Sequence, residues 1–307
     1  NLGNALQKKC EFEAAIKAYK SAIEAKPEFF EAYKNMGNAL KNQGLTDAAI
    51  DSYKMALNIK PDYVEAYNNL GATLNETGQF AAAIARYKKA IELDPSYAEA
   101  HNNVGVAFKN TGNIVEAINS YRKAIKIKPD YADAYNNLGN AYKQKGDFHG
   151  AINILHRALE IRPDFADAYK NLGSALEKIR FVTTRPELSK VICELFDYKT
   201  HVRPKDIARS VVSLLKVQPT IKKLLDTTQV KLEEQQLNNL VSDLSKNQLL
   251  IKLMSICPIP DIDLERLLSL VRKKILLSIS NIEQSNDLLN FQSALALQCF
   301  TNEYIYT

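Results

Sequence analysis

The chain has 307 residues, 24% of them charged and 46% apolar, with a formal net charge of +5. This composition excludes a disordered polymer. The charge is 22 Lys+Arg against 20 Asp+Glu in residues 1–173 and 18 against 15 in residues 174–307, too balanced for a nucleic-acid footprint.

Glycine and proline set the order of the first elements. Gly3, Gly37, Gly71, Gly105, Gly139 and Gly173 recur every 34 residues, as do Gly44, Gly78, Gly112 and Gly146, and also Pro27, Pro61, Pro95, Pro129 and Pro163. A fixed period of this length marks stacked structural repeats. Asn1 begins in mid-pattern, which suggests that residues before it are missing. In the unit Asp62 to Pro95 the apolar spacing predicts a first helix over 63–76 and a second over 80–93. Thr77-Gly78 stops the first, since glycine suits a helix end. Asp94-Pro95 closes the unit, since proline cannot continue the helix.

Gly71 and its equivalents fall inside the first helix, where glycine costs about 1 kcal/mol relative to alanine. The expected reason is a facing helix pressed against that backbone, with small Ala83 and Ala90 in the matching role. Tyr67, Leu70, Leu74, Ile84 and Tyr87 fill the remaining space.

The aromatic Tyr33, Tyr67, Tyr135 or Tyr169, the pair Leu70-Gly71 or Leu138-Gly139, the alanines, the later aromatic Tyr19, Tyr53, Tyr87 or Tyr121 and the closing proline together resemble the tetratricopeptide repeat (TPR). His101 and Leu155 depart from the aromatic positions. The resemblance covers residues 1 to about 180 and fails at Arg180, where the next turn glycine belongs. It implies an all-α fold: a right-handed superhelix of helix–turn–helix hairpins over 1–180, followed by a helical domain over 181–307. It also implies a scaffold that binds a protein or an extended peptide along a concave side lined by the first helices.

Asn1, Asn35, Asn69, Asn103, Asn137 and Asn171 occupy one position of every repeat. Asparagine is a poor residue inside a helix, so the series needs a cause. Two causes are open. Each side chain can hydrogen-bond a neighbouring repeat or water. Alternatively Asn35, Asn69, Asn103, Asn137 and Asn171 form a ladder toward the groove, whose amides pair with the backbone of a bound chain. The second resembles the repeats of the O-linked N-acetylglucosamine transferases. An acidic series, Glu31, Glu65, Glu99, Asp133 and Asp167, is expected to complete capping boxes with Asp62, Ser96, Asp130 and Asp164. The other reading of these acids is a groove for basic peptides. They also stand where a carboxylate clamp needs bases, so that clamp is not expected despite Lys34 and Lys170.

Residues 174–307 contain no glycine, which leaves no ordinary phosphate or dinucleotide loop. Helices are expected over 187–198, 205–216, 220–227, 237–255, 264–279 and 287–306, with Arg272, Lys273 and Lys274 as a solvated edge. This region is expected to dock on the last repeat. The segments 256–261, 291–295 and 298–304 resemble the connecting region of bacterial proteins that join such repeats to a methyltransferase. That implies an alternative function: substrate recruitment for a catalytic domain beyond Thr307, with a glycosyltransferase as a further option.

No catalytic, metal or cofactor site is expected. Four histidines, His101, His149, His156 and His201, complete no ligand set, and His101 is expected to pack in the core. Cys10, Cys193, Cys257 and Cys299 form no CxxC pair, which fits reduced thiols in a cytoplasmic protein. No apolar run reaches the ~20 residues that span a bilayer, and no signal peptide is visible, so a membrane is not an expected partner; the balanced charge makes a nucleic acid an unexpected one too.

Overall fold

The computed structural model describes residues 2–197, 202–227, 234–277 and 286–303. Among these residues every regular element is a helix, eighteen in all. None of them is long and apolar enough to cross a membrane. The chain divides into two compact units, Asn1–Lys145 and Gly146–Thr307.

The first unit is a stack of hairpins: α1 (Leu2–Lys8) with α2 (Phe12–Ala25), α3 (Phe30–Asn42) with α4 (Thr46–Ile59), α5 (Val64–Glu76) with α6 (Phe80–Leu93), and α7 (Ala98–Asn110) with α8 (Ile114–Ile127). A further first helix, α9 (Ala132–Gln144), completes it. The helices expected over 63–76 and 80–93 are those observed, with Tyr63 as the N-cap residue of α5.

Glycine ends the first helices as the sequence requires. Gly44, Gly78 and Gly112 have φ of +80°, +77° and +80°. At the end of α5 the Gln79 N–H reaches the Leu74 carbonyl at 2.9 Å and the Gly78 N–H reaches that of Asn75 at 3.1 Å, the paired bonds of a Schellman motif. In the first hairpin Cys10 takes the same place with φ 61°, and there a side chain bears the left-handed strain that glycine avoids.

The mid-helix glycines face a tyrosine rather than an alanine. A Cβ on Gly37, Gly71 or Gly105 would lie 2.6, 2.8 or 2.7 Å from Cε1 of Tyr53, Tyr87 or Tyr121, well inside van der Waals contact. The expected close approach is therefore present, but the second-helix phenol ring makes it. Ala83 and Ala90 are fully buried and let the helices close around that ring. The core runs through the stack by way of Ile50, Tyr53, Leu70, Leu74, Tyr87 and Val104.

Successive first helices touch one another, α3 with α5, α5 with α7 and α7 with α9. The second helices make no comparably extensive contact with each other among the described residues. The first helices thus form the tighter side of this unit.

In the second unit α10 (Phe148–Ile161) and α11 (Ala166–Leu176) continue the repeat pattern. There follow α12 (Glu187–Asp197), α13 (Pro204–Lys216), α14 (Pro219–Thr227), α15 (Glu234–Ser245), α16 (Gln248–Ile256), α17 (Ile262–Leu277) and α18 (Asn286–Glu303). The pattern stops at Arg180 because a different helix takes over the end of α11. Ser210 of α13 donates to the Leu176 carbonyl and sits 2.8 Å from that of Ile179. Arg180 Nη1 donates to the Ile179 carbonyl at 2.6 Å. Gly173 meets Val202 in place of a tyrosine.

Two expectations for this region are corrected. The single helix over 237–255 is two, because Asn247 caps α16 by accepting the Leu250 N–H at 3.0 Å and donates to Gln218 Oε1 at 2.7 Å. Arg272 is not a solvated edge. Its side chain is 18% exposed and lies 3.6 Å from the Glu265 carboxylate. The Lys274 side chain and the helix ends expected at 198, 279 and 306 lie outside the described residues.

Candidate peptide-binding site

The candidate site is the row of asparagines on the first helices. Asn35, Asn69, Asn103 and Asn137 lie half-buried on α3, α5, α7 and α9. Each Nδ2 donates to a carboxamide oxygen of the preceding repeat. Asn35 reaches Asn4 at 3.1 Å, Asn69 reaches Asn38 at 2.9 Å, Asn103 reaches Asn68 at 3.0 Å, and Asn137 reaches Asn102 at 3.0 Å. Bonding to a neighbouring repeat is therefore realised, and it occupies one N–H of each side chain. Asn103 Oδ1 also receives Asn102 Nδ2 at 3.3 Å. Asn171 holds the equivalent place on α11 in the second unit, also half-buried, and Asn1 lies outside the described residues.

The acceptors were not foreseen, and they change along the row. Asn4 and Asn38 stand three residues after the row position. Each also takes a tyrosine hydroxyl, Tyr19 at 2.6 Å and Tyr53 at 2.7 Å. In the next two repeats that place is held by Ala72 and Val106. The acceptor then moves back by about one helical turn to Asn68 and Asn102, which are 1% and 5% exposed. Losing Asn at this place has a visible consequence: the Tyr121 hydroxyl is buried with no partner. The signal was available, because Asn68, Asn102 and Asn136 form their own series at 34 residues.

The capping expectation fails. The N-cap residues of α3, α5, α7, α9 and α11 are Phe29, Tyr63, Tyr97, Tyr131 and Phe165, and none makes a side-chain cap bond. Cations from the preceding turn cover several of these rings instead: Lys26 on Phe29, Lys60 on Tyr63, Lys128 on Tyr131 and Arg162 on Phe165. This geometry holds the rings by a cation–π contact. The acids sit beside the same rings. Tyr63 is pushed up to about 12 by burial and then by Glu65 and Glu31. Tyr131 is pushed up to about 12 by burial and then by Glu99 and Asp133. Burial also raises Tyr97, followed by Glu99 and Glu65. Glu99 is held in place by Asn68 Nδ2 at 2.9 Å and by the Tyr97 hydroxyl at 3.3 Å. A row of carboxylates and neutral phenols thus borders the asparagine row on the side of the helix N-termini.

Other singled-out residues have structural surroundings. His101 is 7% exposed, and its Nε2 lies 3.1 Å from the Pro95 carbonyl, which requires the proton on Nε2. His149 packs edge-on against Phe181 at 6.4 Å. Lys34 lies 5.8 Å from the Tyr63 ring centre, and Lys170 is exposed. Burial raises Cys193 and Cys257 to about 11, so both stay as thiols at neutral pH.

A protein-family model described as "TPR repeat" matches residues 3–44, 43–78, 73–112, 110–146 and 139–179. A crystal structure of MamA is 32% identical over 54% of this chain and 97% of its own, with a TM-score of 0.49. YrrB, described as a TPR protein with an unusual peptide-binding site, is 28% identical over 55% of this chain and 87% of its own, at 0.46. PilW, described as a widely conserved type IV pilus biogenesis factor, is 19% identical over 67% of this chain and 93% of its own, at 0.56, a likeness of fold. No curated protein matches the chain by sequence. The family match ends at residue 179, and the methyltransferase-connector resemblance stays an expectation of the sequence.

Proposed function

The chain belongs to the tetratricopeptide-repeat family, and from that premise we propose that the array is a scaffold that binds an extended peptide or protein segment against its first helices. The observation that carries this reading is the ladder of carboxamides at Asn35, Asn69, Asn103 and Asn137, each held by the repeat before it. A bond to the preceding repeat fixes the amide and leaves it a second N–H, so a ligand backbone meets groups whose ordering cost is already met. Asn171 belongs to the same sequence series, and the division into an array to residue 180 and a helical domain from 181 belongs to this proposal.

Each added hydrogen bond contributes about 0.5–1.5 kcal/mol net. Four give roughly 2–6 kcal/mol before ordering costs, which corresponds to a Kd of about tens of micromolar at the strongest and millimolar or weaker at the low end. Backbone pairing makes the affinity weakly dependent on ligand sequence. The test is to select random linear peptides on the full chain and titrate the enriched ones against Asn69→Ala/Asn103→Ala/Asn137→Ala. The expected result is a loss on the order of tenfold or more. Equal affinity for the two proteins would remove the ladder from recognition.

A further inference from the structure

The second unit has a groove that the proposed function does not use. Its cavity of about 1220 Å³ lies between the segment 182–184, the end of α13, α14 and α17. That is larger than the ~300–1,000 Å³ usual for a small-molecule site, so its scale is that of a peptide segment. Its apolar surface is open to solvent: Val182 is 83% exposed, Ile262 64% and Leu270 42%. Leu225 of α14 adds to it from the other wall.

Apolar and basic residues alternate along one wall. Ile262, Arg266, Leu270 and Lys273 of α17 all line the groove and are exposed. Their spacing of three or four residues puts them on one stripe of the helix. Lys222 faces the same space from α14. Two of the three acids lining the groove are paired with cations, one of them with Lys216, which lines the groove as well. Asp263 pairs with Lys216 at 3.0 Å, and Glu265 pairs with Arg272 at 3.6 Å and accepts Gln298 Nε2 at 3.1 Å. The lining thus holds Lys216, Lys222, Arg266 and Lys273 against Asp226, Asp263 and Glu265; with Asp263 on Lys216 and Glu265 on Arg272, Lys222, Arg266 and Lys273 are left against Asp226, a small excess of positive charge around apolar steps.

We infer that this groove docks an acidic amphipathic helix of a partner protein, its apolar residues seated against Ile262, Leu270 and Val182 and its carboxylates meeting Arg266, Lys273 and Lys222. An amphipathic helix presents anchors at the i, i+3/i+4, i+7 spacing that such a stripe matches. Basic rims select a partner through complementary charge and hasten its encounter. A basic helix would stack like charges, and an apolar one would leave the three cations beside it uncompensated.

The test uses the full chain and a display library of helical peptides with leucine fixed at i, i+3, i+4 and i+7 and all other positions free. Binders are depleted on the Ile262→Ser/Leu270→Ser variant, whose changes lie at exposed positions. The retained pool is expected to be rich in Asp and Glu, and a retained peptide is expected to bind Arg266→Glu/Lys273→Glu on the order of tenfold more weakly. On the unaltered chain its affinity is expected to fall as salt rises. A basic or neutral pool, no enrichment at all, or a peptide held equally by the charge-reversed protein would overturn the inference. So would sedimentation showing a dimer that charge reversal dissolves, because a second copy would then be the occupant.

Discussion

Gly71 shows how one residue encodes a tertiary contact. Its Cβ-less backbone lies against the Tyr87 ring, and an added Cβ would meet Cε1 at 2.8 Å. Gly71→Ala gains about 1 kcal/mol of helix propensity but overpacks a buried ring at about 1–3 kcal/mol. A net loss of up to about 2 kcal/mol is expected in denaturant unfolding, with part of it recovered when Tyr87 is shortened to Leu. The tyrosine hydroxyls give a sharper comparison. The Tyr53 hydroxyl donates to Asn38 at 2.7 Å, whereas that of Tyr121 is buried with no partner. Tyr53→Phe is expected to cost about 1 kcal/mol, and Tyr121→Phe to be neutral or stabilising, because an orphaned buried hydroxyl is a penalty in itself. Equal effects of the two substitutions on the thermal midpoint would show that the partner at Asn38 contributes nothing.

At the scale of elements, the hairpins were legible because their signals are local. Gly78 marks a left-handed turn and Pro95 a stop, and both lie close to the bonds they decide. The Gly71–Tyr87 contact was half legible: the repeated cost of a mid-helix glycine demanded a close neighbour, but periodicity does not say which side chain comes near. The caps were misread for the opposite reason. Asp62 and Glu65 have capping-box spacing, yet the aromatic Tyr63 takes the N-cap place under Lys60, a contact that spacing of polar residues cannot reveal. Asn247 is a further case, where a cap bonded to Gln218 breaks what reads as one apolar run. The asparagine ladder belongs to this scale as well, since each rung joins two hairpins. Asn69→Ala, Asn103→Ala and Asn137→Ala are each expected to cost about 0.5–1.5 kcal/mol while the helices still form, measured as a lower unfolding midpoint with unchanged circular dichroism. A triple variant as stable as the parent would mean that the rungs do not hold the hairpins together.

Across the whole molecule the buried tyrosines tie stability to alkaline pH. Folding holds the Tyr63 and Tyr131 phenols neutral, raising them from 10.0 to about 12. The unfolded chain releases those protons near the ordinary value, so between the two values the folded state binds more protons. Stability from this source is fully present below pH 10 and is lost as pH rises toward 12. Denaturant midpoints are expected to fall across that window, and Tyr63→Phe/Tyr131→Phe to flatten the fall. A midpoint independent of pH up to 12 would contradict the burial of Tyr63 and the partial burial of Tyr131.

Recognition by the array is tested most directly by following the side-chain amide resonances of the asparagines by NMR while a selected linear peptide is added. The signals of Asn35, Asn69, Asn103 and Asn137 are expected to shift together and to saturate at one peptide concentration. Shifts confined to the second helices or to residues beyond 181, with those four amides unmoved, would contradict binding against the first helices.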